Sequence, residues 1–382
     1  MNCSFKKMDD SKCTQKSYPA FIDYFSTIED PRRQTRGNFM YPLNEILFLA
    51  ISAVISGADG WTSIQLFGNS KLKWLRKYFP YEKGIPSHDV IGNVFSSLDS
   101  ESFSKSFMLW VESIAEISDG EIIPIDGKTI CHSEKRGKKA LHVVSAFAHK
   151  NGLCLGQKCV DQKSNEITAI PELLDLLTIK GCIITIDSMG CQKAIAEKII
   201  EKKANYVLAV KGNQKELKEQ IEKLFKITSF TDTYKHTELG HGRIVHREYQ
   251  VIDDLRFLDN KERWKNIQTI ISLRSKRINK ATGKTTISTR LYISSLPAKA
   301  SKIAKAIRAH WAIENNLHWN LDVVFNEDDS IFKKQNAALN YNIILKTALT
   351  IIDKEKSTKK SKPSKRLLAA LDDKYRNKLL NF

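Results

Sequence analysis

The chain has 382 residues and a net charge of +18, with 61 Lys and Arg residues, 43 Asp and Glu residues and 42% hydrophobic residues. These values indicate an ordered protein of two or three domains. Membrane and secreted classes are disfavoured, because no apolar run reaches the roughly 18 residues of a membrane span and the N-terminus is polar. The seven Cys residues form no Cys-x-x-Cys pair. A disulfide framework or zinc site is therefore not expected, and a reduced, cytoplasmic protein is.

The positive charge is unevenly distributed along the chain. From Arg263 to Ile313 there are twelve Lys and Arg residues but no Asp or Glu. A lysine-rich composition alone could explain the net charge, but it would still scatter acids through this stretch. The stretch therefore predicts a surface that contacts phosphates, with nucleic acid as the expected partner.

Residues 1–115 are predicted to form a helical N-terminal domain. Apolar residues recur at helical spacing in segments 44–61, 63–79 and 85–99, and Ser87 is the expected N-cap of the third segment. Aromatic residues and lysines alternate in the second segment. This pattern fits a domain that contacts DNA, and it fits a plain helical packing domain equally well.

Residues 116–227 alternate between strand and helix patterns. The strand-like runs are EIIPID (121–126), ALHVVSAFAHK (140–150), LCLGQKCV (153–160), GCIITID (181–187) and NYVLAV (205–210). Helices are predicted at 167–177, 191–203 and 213–225. The order βββαβαβα predicts an α/β fold with a mixed five-stranded sheet and flanking helices, the ribonuclease H-like arrangement.

The last three segments differ in pattern. Residues 228–296 are predicted to be a β-rich insertion, because REYQVID, IQTIISLRS and TTISTRLYISSL have strand patterns separated by polar turns. Residues 297–352 return to helical periodicity and are predicted to complete the α/β core. Residues 353–382 are predicted to be a basic C-terminal tail, flexible up to residue 366 and then forming a short helix.

Two aspartates hold related positions in this scheme. Asp126 and Asp187 each end an apolar strand, and the first and fourth strands are expected to lie side by side and parallel. Ligands gather outside the carboxyl ends of parallel strands. Two close carboxylates repel unless a cation lies between them, and oxygen ligands suit Mg²⁺ or Mn²⁺. The alternative is two independent surface aspartates.

A third acid is expected in the segment HWAIENNLHWNLDVVFNEDDS, residues 310–330. Glu314 is the first acid after the acid-free stretch, and His310, His318 and Asp322 share its helical spacing of four. Two other ligand sets stay open. His318 could bind zinc with Glu314 or Asp322, and the third acid could instead be one of Glu327, Asp328 and Asp329. A solvated helix face is the remaining alternative.

These motifs together resemble a known family. The segments are IDGK (125–128), IDSMGCQ (186–192), VLAVKGNQ (207–214), GHGR (240–243) and residues 310–330, with DPRR (30–33) and PSHDVIGNVFSSLD (86–99) before them. They are similar to the H-repeat-associated branch of insertion-sequence DDE transposases, whose core is ribonuclease H-like. The resemblance covers residues 20–350.

The resemblance implies a mechanism and a set of site residues. It assigns Asp126, Asp187 and Glu314 as catalytic acids that hold two Mg²⁺ or Mn²⁺ ions, which support DNA cleavage at the element ends and strand transfer into target DNA. A homo-oligomer on DNA and a bacterial cytoplasmic location, nucleoid-associated when DNA is bound, are expected. The alternatives are a ribonuclease H-like nuclease and a transposon remnant that binds DNA without catalysis.

Further residues are candidates for DNA contact. In the wider transposase group to which this branch belongs, Tyr, Arg and Lys residues surround the catalytic glutamate. The corresponding positions around Glu314 hold Ile307, His310 and Leu321. The candidates are Lys128, Lys211, Arg243, Arg274, Lys276, Arg277, Arg308, His310, Asn315 and His318. Each cation could also be an ordinary surface charge. Trp311 and Trp319 are expected in the core rather than as stacking platforms for bases.

Overall fold

A computed structural model of the chain describes residues 19–32, 40–130, 140–160, 165–240, 242–330 and 335–381. Within these ranges the chain forms a mixed nine-stranded sheet packed against helices, which confirms the predicted α/β class. No helix in this part of the chain has the length and apolar character needed to cross a membrane.

Helices dominate the N-terminal region of the described chain. They are α1 (Ala20–Phe25), α2 (Leu43–Ile55), α3 (Trp61–Leu75), α4 (His88–Ser97) and α5 (Ser100–Ile114). Ser87 caps α4 as predicted, because its hydroxyl accepts a hydrogen bond from the backbone of Val90. Nearly every residue of α2 is buried, since apolar side chains lie on all its faces.

The nine strands form one sheet in the order β3-β2-β1-β4-β5-β9-β8-β7-β6. Their bounds are β1 (Ile122–Thr129), β2 (His142–Ala148), β3 (Leu153–Val160), β4 (Ile183–Ile186), β5 (Asn205–Val210), β6 (Asp232–Gly240), β7 (Arg243–Ile252), β8 (Thr269–Asn279) and β9 (Thr285–Ser294). The pairs β1–β4 and β4–β5 are parallel, and the other neighbours are antiparallel.

The predicted five-stranded sheet is wrong, because the sheet continues past β5. Strand β9 pairs with β5 from Val207–Ser294 to Val210–Leu291, so the insertion strands extend the same sheet. A β5 edge without a neighbour would leave its backbone N–H and C=O groups unpaired. Strand β6 escapes prediction because DTYKHTELG contains few apolar residues and nearly all of it is exposed.

Helices cover both faces of the sheet. Helices α6 (Glu166–Leu176), α7 (Lys193–Glu201) and α8 (Lys215–Ile227) follow β3, β4 and β5. Helix α9 (Ala300–Ala309) packs on β1, β4 and β5, where Ile122, Ile183 and Val207 meet its apolar face. A helical run then continues through α10 (Trp311–Ile313), a π-helical turn (Glu314–His318) and α11 (Trp319–Val323).

Helix α12 (Gln335–Lys354) joins the N-terminal helices to the sheet. It packs against α2, α4, α5 and β3. The Asn340 side chain donates hydrogen bonds to the carbonyls of Phe95 (2.8 Å) and Leu98 (2.9 Å), at the C-terminal end of α4. The two parts of the chain therefore share one apolar core.

The C-terminal residues are more ordered than the sequence suggests. Helices α13 (Lys362–Leu371) and α14 (Asp373–Leu380) follow α12. The Arg376 guanidinium is fully buried, 4.1 Å from the centre of the Trp74 ring. Buried Arg366 donates hydrogen bonds to the carbonyls of Val54 and Ala58, both at 3.2 Å. The prediction of a flexible segment up to residue 366 with little to bury is therefore wrong at Arg366, whereas Arg376 lies in the part that was predicted to be helical.

Candidate active site

Asp126 and Asp187 lie at the same edge of the sheet. Strands β1 and β4 are parallel neighbours, as predicted, and Ile125 is paired with Ile186. The residue that follows each of these paired isoleucines is an aspartate, Asp126 after Ile125 and Asp187 after Ile186. The Asp187 carboxylate accepts a hydrogen bond from the backbone of Met189 at 2.9 Å, which fixes its orientation just beyond the end of β4.

Glu314 reaches this edge from a different element. It is the first residue of the π-helical turn, and its side chain is 52% exposed. A π turn places one more residue in a helical turn than an α-helix does, and such turns are frequent at functional sites. The predicted uninterrupted helical spacing of four from His310 to Asp322 is thus broken at Glu314. The residues Leu317 and Leu321 stay buried in the core.

Asp126, Glu314 and His318 converge on one point. The Nδ1 atom of His318 lies 3.7 Å from Asp126 Oδ2 and 3.6 Å from Glu314 Oε2. One potential ligand atom from each of these three residues lies within 4.8 Å of the others. Asp187 is not part of this tight group, although it borders Asp126 on the next strand. The acids can hold a cation, and an imidazole nitrogen adjoins them.

The electrostatics of this group show a shortage of positive charge. Burial, together with the Glu314 carboxyl group and the charge of Asp187, raises the pKa of Asp126 to about 8. Burial lowers the pKa of His318 to about 4, against the opposing influence of Glu314. The buried carboxyl group therefore keeps its proton at neutral pH, and the imidazole is neutral. A divalent cation would reverse this balance by favouring the ionised carboxylates.

A second acidic cluster lies nearby and contains its own cation. The Lys128 ammonium contacts the carboxylates of Asp322 and Glu327 and lies 3.5 Å from Asp328. Glu327 is 2% exposed and also accepts a hydrogen bond from Asn342 on α12. Because Glu327 and Asp328 are bound to this ammonium, the geometry favours Glu314 as the third acid. Asp329 belongs to neither cluster.

Comparisons with known proteins identify the family of this chain. Residues 117–351 match the family model described as the transposase DDE domain, and residues 22–111 match the model of the domain associated with it. The chain belongs to the DDE transposase family.

Relatives of this family are similar over nearly the whole chain. "Putative transposase YncI" of Escherichia coli O157:H7 is 45% identical over 374 residues, which cover 95% of each chain. "H repeat-associated putative transposase YhhI" of Escherichia coli strain K12 is 41% identical over 366 residues, covering 93% of this chain and 96% of that protein. The predicted resemblance to this transposase family is therefore confirmed.

A group of polar residues that the sequence analysis did not single out is connected to Asp126 through the neighbouring strands. Ser145 pairs with Asp126 across β1 and β2, and Gln157 pairs with Ser145 across β2 and β3. The buried Lys346 ammonium donates hydrogen bonds to Ser145, at 2.9 Å, and to Gln157. A lysine inside the apolar run NIILKTALTII was a usable signal, because such residues are rarely buried without polar partners.

A second missed group lies beside Gly127, next to Asp126. The His142 Nε2 atom and the Glu166 carboxylate are 2.6 Å apart, and a Cβ atom at position 127 would lie 2.3 Å from both. A larger residue at this position would therefore have to displace the ends of these two side chains. The charge of Glu166 also contributes to the raised pKa of Asp126. The sequence offers no signal for this contact beyond the glycine.

The candidate DNA contacts of the transposase lie in two environments. Exposed side chains without a described role in the core are Lys211, Arg243, Arg274, Lys276, Arg277 and Asn315. The other four are engaged within the protein. Arg308 lies 3.2 Å from Glu238, His310 Nδ1 lies 3.0 Å from the Thr185 hydroxyl, and Lys128 is held by carboxylates. His318 is buried and faces Asp126 and Glu314. Contact with DNA stays a prediction for all of them.

The expected burial of two tryptophans is wrong. Trp311 is 43% exposed and Trp319 is 54% exposed. They flank the π turn on the exposed side of the helical run, together with Asn315. The Arg290 guanidinium lies 5.4 Å from the centre of the Trp311 ring, an arrangement that gives a cation–π contact. Leu317 and Leu321 are buried in place of the two tryptophans. The spacing of the tryptophans in the sequence does not reveal which side of this helical run is buried.

Proposed function

We propose that this chain is a metal-dependent DNA transposase that cleaves DNA at the ends of its element and joins the freed 3′-hydroxyl to target DNA. The observation that carries the proposal is that Asp126 and Glu314 meet at the edge of the parallel pair β1–β4, where Asp187 directly follows the neighbouring strand. Family membership supports the same reaction class. The core formed by β1–β5 is proposed to be ribonuclease H-like, with β6–β9 as its extension.

The acids suit a divalent cation. Their oxygen donors are those preferred by Mg²⁺ and Mn²⁺, and the pKa of Asp126 is raised by burial and by the neighbouring carboxyl groups. Asp126, Asp187 and Glu314 are proposed to hold two such ions. When bound, divalent ions of this kind activate an attacking hydroxyl and stabilise a leaving oxygen in phosphoryl displacement.

The protein's own residues position the acids and bind the DNA backbone. Lys128 contacts Asp322 on α11 and Glu327 after this helix, and these contacts join the end of the helical run to β1. The exposed basic residues of β7 and β8 (Arg243, Arg274, Lys276 and Arg277) are proposed to contact phosphates on one side of the site. Assembly as a homo-oligomer on DNA and a cytoplasmic location stay predictions.

Strand cleavage by the full chain tests the proposal. The substrate is a duplex that carries the DNA flanking the gene, incubated with Mg²⁺, Mn²⁺, Ca²⁺ or EDTA. We expect cleavage and joining with Mg²⁺ or Mn²⁺, binding but little chemistry with Ca²⁺, and no reaction in EDTA. As a matched control, Glu219→Gln removes an exposed carboxylate on α8 and should cut at the wild-type rate. Full activity in EDTA would contradict the proposal.

A further inference from the structure

His318 occupies an unusual position for a histidine. It is the last residue of the π turn and is 5% exposed. One ring nitrogen, Nδ1, faces the carboxylates of Asp126 and Glu314 at 3.7 and 3.6 Å. The other, Nε2, is buried with no hydrogen-bond partner among the described residues. The observation that calls for an explanation beyond packing is the buried Nδ1 atom, which faces two carboxyl groups.

We propose that Nδ1 of His318 is a metal ligand alongside Asp126 and Glu314, and that this nitrogen gives the site a preference for Mn²⁺ over Mg²⁺ and Ca²⁺. The inference rests on the proposed function, since it concerns the cation that the catalytic acids hold. It goes beyond that function by adding a nitrogen donor to a set of carboxylates.

The separations between the donor atoms fit a shared cation. Ligands about 2.1 Å from one ion lie about 3.0 Å apart when adjacent in an octahedron and about 3.4 Å apart in a tetrahedron. The separations of 3.6 and 3.7 Å exceed the tetrahedral value by about 0.2 to 0.3 Å and the octahedral value by about 0.6 to 0.7 Å. Small side-chain rotations would therefore bring the three donors to ligand distance.

The chemistry of the donors determines which ion is preferred. Mg²⁺ and Ca²⁺ bind oxygen ligands almost exclusively, whereas transition-metal ions also accept imidazole nitrogen. A set of two carboxylates and one imidazole therefore favours Mn²⁺ over the two oxygen-selective ions. The zinc alternative that the sequence left open paired His318 with Glu314 or Asp322. Asp322 contacts Lys128 instead, whereas the pair of His318 and Glu314 is part of the set proposed here.

The backbone supports this role for His318. Glu314 and His318 are the first and last residues of the π turn, and both direct polar atoms toward Asp126. The flanking apolar residues Leu317 and Leu321 are still buried. The π turn thus lets the helix present an acid and an imidazole to one point without exposing its apolar face.

The decisive experiment is pulsed electron paramagnetic resonance of Mn²⁺ bound to the full chain without DNA, which detects a coordinated ¹⁴N nucleus directly. We expect nitrogen coupling in the wild type and its loss in His318→Asn, which offers an amide oxygen in place of Nδ1. His310→Asn is the matched control, since His310 lies on the same helical run outside the ligand group, and it should keep the coupling. Titration should show Mn²⁺ affinity roughly tenfold or more weaker in His318→Asn, with Ca²⁺ affinity little changed.

The possible outcomes separate this inference from the proposed function. In one outcome, the wild type binds Mn²⁺ without nitrogen coupling, and Asp126→Asn abolishes the binding. That outcome would overturn the role of His318 and leave the transposase proposal intact. Coupling that persists in His318→Asn would also overturn it, because another nitrogen would then be the ligand. A wild-type chain that binds no Mn²⁺ would contradict both the ligand and the metal-dependent reaction.

Discussion

Two acidic clusters adjoin β1, one at Asp126 and the other at Lys128, and they differ in how their charge is balanced. Asp322, Glu327 and Asp328 surround the Lys128 ammonium. In the described part of the chain, Asp126 and Glu314 form no ion pair with a Lys or Arg residue, and the pKa of Asp126 is raised to about 8. Acid content alone therefore does not identify the candidate metal site. Of the two clusters as described, we propose that the one without a paired Lys or Arg takes an external cation.

The largest expected effect comes from replacing the acids of the candidate metal site. Asp126→Asn and Asp187→Asn should each abolish cleavage and joining, because either change removes charge that the cations need. The double variant should be hardly worse than a single one, since residues that act as a unit have non-additive effects. Cleavage rates of the three proteins on end DNA provide the measurement. Effects that multiply in the double variant would show that the two acids act independently.

The next effect concerns the acidic cluster around Lys128 and should appear as a change in the free energy of unfolding. Lys128→Met leaves the buried Glu327 carboxylate without its cation, which should cost about 3–5 kcal/mol of unfolding free energy. Adding Glu327→Gln should recover much of the loss. Denaturant titration provides the measurement. In the control Lys158→Met, the partners Glu101 and Glu172 are largely exposed, so the cost should be below about 1 kcal/mol.

A Lys128→Met protein as stable as the wild type would contradict this account of the second cluster. A double variant that is no more stable than the single variant would also contradict it, because the loss would then not come from the uncompensated charge of Glu327.

The sequence predicted the sheet edge better than it predicted the balance of charge. Asp126 and Asp187 each follow an apolar strand, so their positions can be inferred from local pattern. The contacts of Lys128 join residues about 200 positions apart in the sequence, and no local pattern encodes them. The π turn at Glu314 and the pairing of β5 with β9 are likewise set by tertiary packing.

The pH dependence of stability should also distinguish the clusters. In the metal-free protein the pKa of Asp126 is about 8, whereas a carboxyl group in an unfolded chain has a pKa of about 3.9. Between these values the folded state holds a proton that the unfolded state has lost, so stability should fall as pH rises from about 4 to about 8. Asp126→Asn should remove this part of the slope. Denaturant midpoints in EDTA across this range provide the measurement, and identical pH profiles for the two proteins would contradict the raised pKa.

The smallest effect extends the comparison to cations. Arg274, Lys276 and Arg277 are exposed, whereas Arg308 is ion-paired with Glu238. Changing the three exposed residues to Gln should reduce the slope of log affinity for DNA against log salt by about 0.9 for each lost phosphate contact. Arg308→Gln should change it less. As a control, three exposed lysines on α8 are changed to Gln, namely Lys215, Lys223 and Lys226. An equal fall in the slope for this control variant would contradict a specific phosphate contact by the β8 residues.

The central claim is that Glu314, and not Glu327, is the third catalytic acid. Glu314→Gln and Glu327→Gln each remove one charge and keep the shape of the side chain, so the two variants are matched. Cleavage of end DNA is measured at equal DNA occupancy, under conditions where both proteins are folded. The account predicts no cleavage by Glu314→Gln and measurable cleavage by Glu327→Gln. Normal cleavage by Glu314→Gln with an inactive Glu327→Gln would contradict it.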